Sequence, residues 1–218
     1  MKRTFFGRLL PGMTGWLILC AAVEGPAVDD NTLPDEKNGW VSMFNGVNLD
    51  GWRQAGEGSW YAEKGELVGE SLSGRAPGFL CTREHFIDFE LSLEFFPEEE
   101  SAAGIFFRSA TDGKDIMGWQ AVLATSPEDT SGILETHGRG WLETLPPRRK
   151  IYPVPGKWNQ FRLKVKKNRV KVWLNGKRMI SLKDGRIEKG RGSIALQVCR
   201  TSNGKIKYRH IRIKTLDK

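Results

Sequence analysis

The chain has 218 residues, 39% hydrophobic and 10% aromatic, enough to bury one sizeable core, and the length suits one β-rich domain better than two small ones. Three cysteines are too few for a disulfide scaffold, and no segment after the N-terminus approaches the roughly 20 apolar residues of a transmembrane helix. A formal charge of +8 raises nucleic acid as a partner, but from Arg148 onward 23 Lys and Arg stand against 3 Asp and Glu, while acids dominate before it. Late strands pairing with early ones would set lysines across from glutamates, a structural use of that asymmetry, and no nucleic-acid motif stands against it.

The N-terminus reads as a processed leader over residues 1–23. Lys2, Arg3 and Arg8 make a basic start, and residues 16–23 follow as an apolar stretch too short to span a bilayer. Export to the periplasm or the medium is the expected consequence. Cys20 follows Leu19, where lipid-attachment motifs carry a small residue, which ranks lipid anchoring below simple cleavage. Residues 24–38, polar and carrying Pro26 and Pro34, read as a linker, so the domain is expected over 39–218.

Within it, apolar and polar residues alternate in short runs and no stretch sustains a helical period. The clearest strand spans 86–96: Phe89, Leu91, Leu93 and Phe95 share a core face, and Asp88, Glu90, Ser92 and Glu94 a solvated one. Phe161, Leu163 and Val165 alternate with Arg162, Lys164 and Lys166; Lys167-Asn168 and then Asn175-Gly176 turn the chain into successive hairpins. Further runs at 59–70, 104–109, 119–124, 132–137, 192–199 and 205–216 make roughly a dozen strands, the pattern of an all-β sandwich of two antiparallel sheets with little helix. Cys81 and Cys199, both in strand-like runs, read as one bridge or as two separate buried thiols.

Several landmarks then recur in a fixed order: Gly39-Trp40-Val41-Ser42-Met43-Phe44-Asn45-Gly46, Leu49-Asp50-Gly51-Trp52, Asp88-Phe89-Glu90-Leu91, Gly104-Ile105-Phe106-Phe107-Arg108, Gly156-Lys157-Trp158-Asn159, Trp173-Leu174-Asn175-Gly176 and Ile194-Ala195-Leu196-Gln197. By these the chain resembles, from Gly39 to Leu216, the 3-keto-disaccharide hydrolase domain family, also described as 3-keto-glucoside lyase and hydratase. The resemblance implies a concanavalin A-like jelly roll and a saccharide ligand of the 3-keto-glycoside class. It departs at polar positions. Ala102-Ala103 precede Gly104 where the family tends to carry Asn-Ser, Gln120 stands where a glutamate and Val122 where a glutamine is usual, and Cys199 replaces a histidine.

In a jelly roll the core lies between the sheets and ligands sit on the concave outer face, so strand parity sorts candidates. By parity Arg108, Gln120, Glu135, His137 and Gln197 could share one surface. Arg108, inside an apolar strand, needs a charged partner, a ligand or solvent, and reads as a structural ion pair or as a groove residue. Glu135 reads as the acid of that surface or as a solvated sheet residue, and His137 as an acid or base or as a loop histidine beside Gly138. Trp141, in the glycine-containing loop Gly138-Arg139-Gly140-Trp141, is the best exposed sugar platform, whereas Trp158 and Trp119 default to core packing. Arg148, in the loop 138–149, would stand on the rim over the groove.

Carried onto these residues, the family chemistry makes Arg108 the stabiliser of an enolate and Glu135, with His137, the base or acid. Gln120, Gln197, Trp141 and Arg148 would then bind substrate. The Glu-x-Asp-x-x-Glu triplet of glycosidases is absent, and Asp88, Glu90 and Glu94 have the wrong spacing. No Cys/His metal cluster and no phosphate-cradling glycine loop occurs, so no cofactor is evident, although a divalent metal such as calcium on carbonyls and scattered acids stays open. An enzyme that cleaves 3-keto-glycosides and a saccharide-binding module without turnover are both consistent readings. An interaction domain of a cell-surface assembly ranks below them.

Overall fold

The computed structural model describes residues 38–71, 76–98, 103–125, 131–146, 151–198 and 204–216. The leader at 1–23 and almost all of the linker at 24–38 lie outside these residues. Among the described residues fifteen strand segments build two antiparallel sheets packed face to face. The eight-stranded sheet contains β1 (Val41–Ser42), β3 (Gly58–Glu63), β4 (Glu66–Ser71), β6 (Phe89–Pro97), β11 (Asn159–Lys166), β12 (Arg169–Leu174), β13 (Lys177–Lys183) and β15 (Lys205–Thr215). Its order is β13-β12-β11-β6-β15-β4-β3, with β1 also on β15. The seven-stranded sheet runs from β10 (Gly140–Thr144) through β9 (Gly132–Thr136), β8 (Asp115–Leu123), β7 (Ala103–Asp112), β14 (Ser193–Val198) and β5 (Gly78–Thr82) to β2 (Trp52–Gly56).

Alternation fixes which faces meet. Phe89, Leu91, Leu93 and Phe95 of β6, with Phe161, Leu163 and Val165 of β11, pack against Ile105 and Phe107 of β7 and Ile194, Leu196 and Val198 of β14 in one continuous core. The turn at Asn175 and Gly176 takes positive φ at both residues, the twist-matched form for a two-residue hairpin, so β12 and β13 pair as the sequence suggests. Among the described residues the one α-helix is α1 (Gly185–Lys189), capped by Asp184, whose carboxylate accepts from the backbone N–H groups of Arg186 and Ile187.

Two expectations need correction. Glu90 and Glu94 do not form a solvated face: both are buried, Glu90 between Arg162 and Lys164 and Glu94 against Arg209 and His210. The electrostatic reading holds, since late cations neutralise early carboxylates across the sheet. Trp158 is not in the core. It lies half-buried outside the eight-stranded sheet, edge-on to Phe96 and beneath the Arg209 guanidinium, 4.0 Å from the ring centroid.

The decisive irregularity is a bulge in β7. Phe107 pairs with Trp119, but the next pair is Ala110 with Met117, so Arg108 and Ser109 together oppose Gly118. Arg108 takes φ +48, and Gly118 at φ +135 leaves room because a Cβ there would lie 2.8 Å from Ser109 Cα. The bulge turns Arg108 inward. Its side chain is 0% exposed and ion-paired with Asp88 at 2.9 Å. It also donates to the carbonyls of Ile87 (2.8 Å), Lys167 (3.0 Å) and Ile187. One guanidinium thus ties β7 to the loop before β6, to the β11–β12 turn and to α1, joining the two sheets at one end. Burial pulls its pKa down, but Asp88 opposes that and the group stays charged. Arg108→Met should therefore strand Asp88 and several carbonyls and lower stability by about 3 to 5 kcal/mol in guanidinium chloride unfolding. A loss under about 1 kcal/mol would show that the knot is dispensable.

Candidate functional site

The outer face of the seven-stranded sheet carries two rows read directly from strand register. The first runs Trp141, Leu134, Gln120, Phe106, Ala195, Cys81 and Arg53 from β10 to β2. Beside it run Val122, Gly104, Gln197, Phe79 and Ala55. Phe79, Cys81, Phe106, Ile116 and Ala195 form an apolar cluster separate from the main core, with Phe79 edge-on to Phe106 at 5.6 Å.

Over this floor two amides meet. Gln120 Nε2 donates to Gln197 Oε1 at 2.6 Å, from strands on either side of β7. They meet because Gly104 lies beneath them: a Cβ there would come within 2.1 Å of both Gln120 Nε2 and Gln197 Oε1. The bond leaves the Gln120 carbonyl oxygen as an acceptor and the Gln197 amide as a donor, a pair suited to a hydroxyl or carbonyl of a sugar. Gln120 is 7% exposed and Gln197 half-buried, so the open side lies toward Gln197. Trp141, 43% exposed, stands two strands from Gln120 across Leu134, roughly 10 Å at the usual strand spacing.

The other sequence candidates do not join this group. Arg108 is corrected from groove to interior by the bulge. Glu135 pairs in register with Trp119, whose ring stacks on Phe107 in the core, so its side chain leaves the sheet on the side opposite to Gln120. There it meets Arg139, whose guanidinium also holds Asp184 bidentately at 2.8 and 3.0 Å. This bridge links the β9–β10 turn to the N-cap of α1. His137 sits at that turn with φ +57 and is exposed. Arg148 and Cys199 lie outside the described residues.

Gly104 and Arg53 were not singled out from the sequence. Arg53 ends the first row and donates to Thr111 Oγ1 at 2.8 Å. The glycine's role had one legible signal: it stands alone in a strand, which marks a place where other groups approach closely. Cys81 is a free thiol, buried in the apolar cluster, and burial pushes its pKa up to about 11 despite Arg53 nearby, so it is inert as a nucleophile. Among the described residues no group of three or more His, Cys, Asp or Glu is placed to hold a metal ion, and no helix is long and apolar enough to cross a membrane.

Comparison with known proteins agrees with the architecture. The model of the 3-keto-alpha-glucoside-1,2-lyase-like domain family matches residues 39–214. A Bacteroides thetaiotaomicron protein named 3-keto-disaccharide hydrolase is 25% identical over 123 residues, 49% of this chain; the match spans only 41% of that relative's length. A Parabacteroides distasonis protein provisionally described as a glycosyl hydrolase superposes with a TM-score of 0.63 at 21% identity, over 86% of this chain and 99% of that one. A carbohydrate binding module from Bacillus subtilis superposes with a TM-score of 0.60 at 16% identity, over 78% and 98%. These similarities establish the jelly-roll sandwich.

The Glu135–Arg139–Asp184 bridge has a pH signature. Arg139 and, less strongly, the two capping N–H groups hold the Asp184 carboxyl at about 2, below its usual 3.8. A depressed carboxylate contributes stability that is complete above its unfolded pKa and lost as pH falls through the folded one. Asp184→Asn should lower the melting temperature at pH 7, and the gap from the parent should close between about pH 4 and 2. A gap that stays constant over that range would remove the ion pair from the explanation.

Proposed function

The chain belongs to the 3-keto-alpha-glucoside-1,2-lyase-like domain family, and from that premise we propose that it is an exported, carbohydrate-active jelly roll that takes a saccharide on the outer face of its seven-stranded sheet. The observation that carries the reading is the Gln120–Gln197 amide pair seated over Gly104. Amides with hydrogen-bonding capacity left beyond their mutual bond suit a neutral polyhydroxylated ligand, whose hydroxyl and carbonyl oxygens can exchange hydrogen bonds with them. Trp141 supplies an exposed ring for the C–H face of a pyranose. The basic, then apolar leader at 1–23 supports placement outside the cytoplasm. The ligand class is a 3-keto-glycoside, by the family's name and that of the Bacteroides relative.

Binding without turnover is the form of this proposal that the geometry supports best. In a 3-keto-glycoside the ketone acidifies the hydrogen on C2. A base removes it, a cation or hydrogen-bond donor stabilises the enolate, the aglycone leaves C1 with the electron pair, and water adds back. That sequence needs a proton acceptor over the sugar. Among the described residues of the two rows, the titratable side chains are Arg53 and the buried Cys81, and an amide occupies the Gln120 position. Cleavage is the second reading, favoured by the family match, and it would draw its base from outside those rows.

Titration calorimetry with a 3-keto-disaccharide should show binding in the parent. Gln120→Ala, Gln197→Ala and Gly104→Ala should each weaken it about tenfold, the worth of a hydrogen bond. Glu135→Gln should bind as the parent does. Parental affinity in both glutamine variants would exclude this face. Aglycone release from a 3-keto-glucoside separates the two readings: the account expects binding with no release in the parent and a gain of release in Gln120→Glu. Release by the parent would establish cleavage, and its loss in Glu135→Gln would restore Glu135 to the mechanism.

A further inference from the structure

Across most of its width the outer face of the eight-stranded sheet matches cations with acids. Arg162 and Lys164 meet Glu90, Arg209 meets Glu94, Lys205 meets Glu70 and Lys207 meets Glu98. The β11–β12 hairpin breaks that rule. Lys164 stands directly opposite Lys171, and Lys166 directly opposite Arg169. Directly opposed residues have Cβ atoms roughly 5 Å apart, and like charges so placed are destabilising. On β13, Lys183 adds another cation opposite Arg169.

Lys164, Lys166, Lys167, Asn168, Arg169 and Lys171 line an open hollow of about 320 Å³. Two neighbouring carboxylates, those of Glu90 and Asp88, are committed. Glu90 is shared by Arg162 and Lys164, and Asp88 is held by Arg108 and the backbone N–H of Lys167. Glu90 compensates Lys164, but among the described residues no carboxylate pairs with Lys166, Arg169 or Lys171, and a local rule broken in this way marks a place where a partner supplies the compensation.

We propose that this hairpin is a docking surface for a polysaccharide bearing carboxylate or sulfate groups. Same-face side chains recur every two residues, about 6.7 Å along a strand, and neighbouring strands lie about 4.8 Å apart. The opposed cations therefore form a two-column ladder, which suits a polymer with repeated anionic groups better than one isolated anion. Trp173 continues the ladder opposite Arg162, whose guanidinium lies 5.4 Å from the ring centroid, and adds an aromatic surface for a pyranose. The choice of a glycan over another polyanion rests on the saccharide reading given above, but the surface lies on the other sheet and is tested separately.

The test measures binding of polygalacturonate and heparin oligosaccharides at about 50 and 300 mM NaCl, with neutral dextran, duplex DNA and phosphatidylglycerol vesicles as competitors. The parent should bind at least one anionic glycan, lose it steeply with salt, and ignore dextran. Lys171→Glu should weaken binding about tenfold or more, yet melt at or above the parental temperature because it relieves the opposition to Lys164. That pairing of effects separates a lost contact from a damaged fold. Gln120→Ala should bind the polyanion as the parent does, so a failure of the saccharide site and a failure of this surface are read independently. No binding of either anionic glycan, an unchanged affinity in Lys171→Glu, or tighter binding of DNA or vesicles would overturn the proposal.

Discussion

A guanidinium with no exposed surface has to find its charge partner and its acceptors inside the protein, and the jelly roll is organised around meeting that demand for Arg108. Asp88 supplies the charge, and the carbonyls of Ile87, Lys167 and Ile187 supply acceptors from three separate segments. The same contacts fix where the β11–β12 turn and α1 sit relative to β7. The bulge is the device that makes them possible, since an unbroken β7 would send this side chain out of the opposite face. A second cross-link, Glu135–Arg139–Asp184, anchors α1 to the β9–β10 turn. The charged residues that first suggest chemistry are therefore used to hold the sheets together.

What remains on the outer face of the seven-stranded sheet is largely uncharged. An apolar floor around Phe79 and Phe106 supports two amides that meet only because β7 places a glycine between them. Such a surface discriminates by hydrogen-bond geometry and ring stacking, the terms by which a protein recognises a saccharide. The opposite face of the molecule is governed by charge. Its acids and bases largely neutralise one another until the β11–β12 hairpin, where cations stand directly opposite cations. The two faces thus differ in chemistry, one largely uncharged and one carrying opposed cations.

Much of the fold was legible because alternation is a direct consequence of strand geometry. Phe89, Leu91, Leu93 and Phe95 announce a buried face, Asn175-Gly176 announces a tight hairpin, and the basic second half announces cross-strand pairing with early glutamates. The site was legible in part. Gln120 and Gln197 were placed on one face by parity, and the register brings them into contact. Arg108 escapes the parity rule because parity presumes an unbroken strand, and the bulge depends on Gly118 of the next strand, whose opposition to Arg108 and Ser109 only the register reveals. Glu135 shares parity with Ile133, a core residue, and that signal already pointed away from the amides. Large aromatics are usually core residues, an expectation Trp158 escapes because Arg209 covers its ring outside the sheet.

The central claim is that the paired amides of Gln120 and Gln197 are where a saccharide is held. Side-chain amide resonances report on it directly, so the measurement is a nitrogen–proton correlation spectrum of the labelled protein titrated with a 3-keto-disaccharide. The account predicts saturable shifts of the Gln120 and Gln197 side-chain signals together with the Trp141 indole, and none at the Arg108 guanidinium. Shifts confined to the Glu135–Arg139 turn or to the β11–β12 hairpin, with both glutamine signals unmoved, would contradict it.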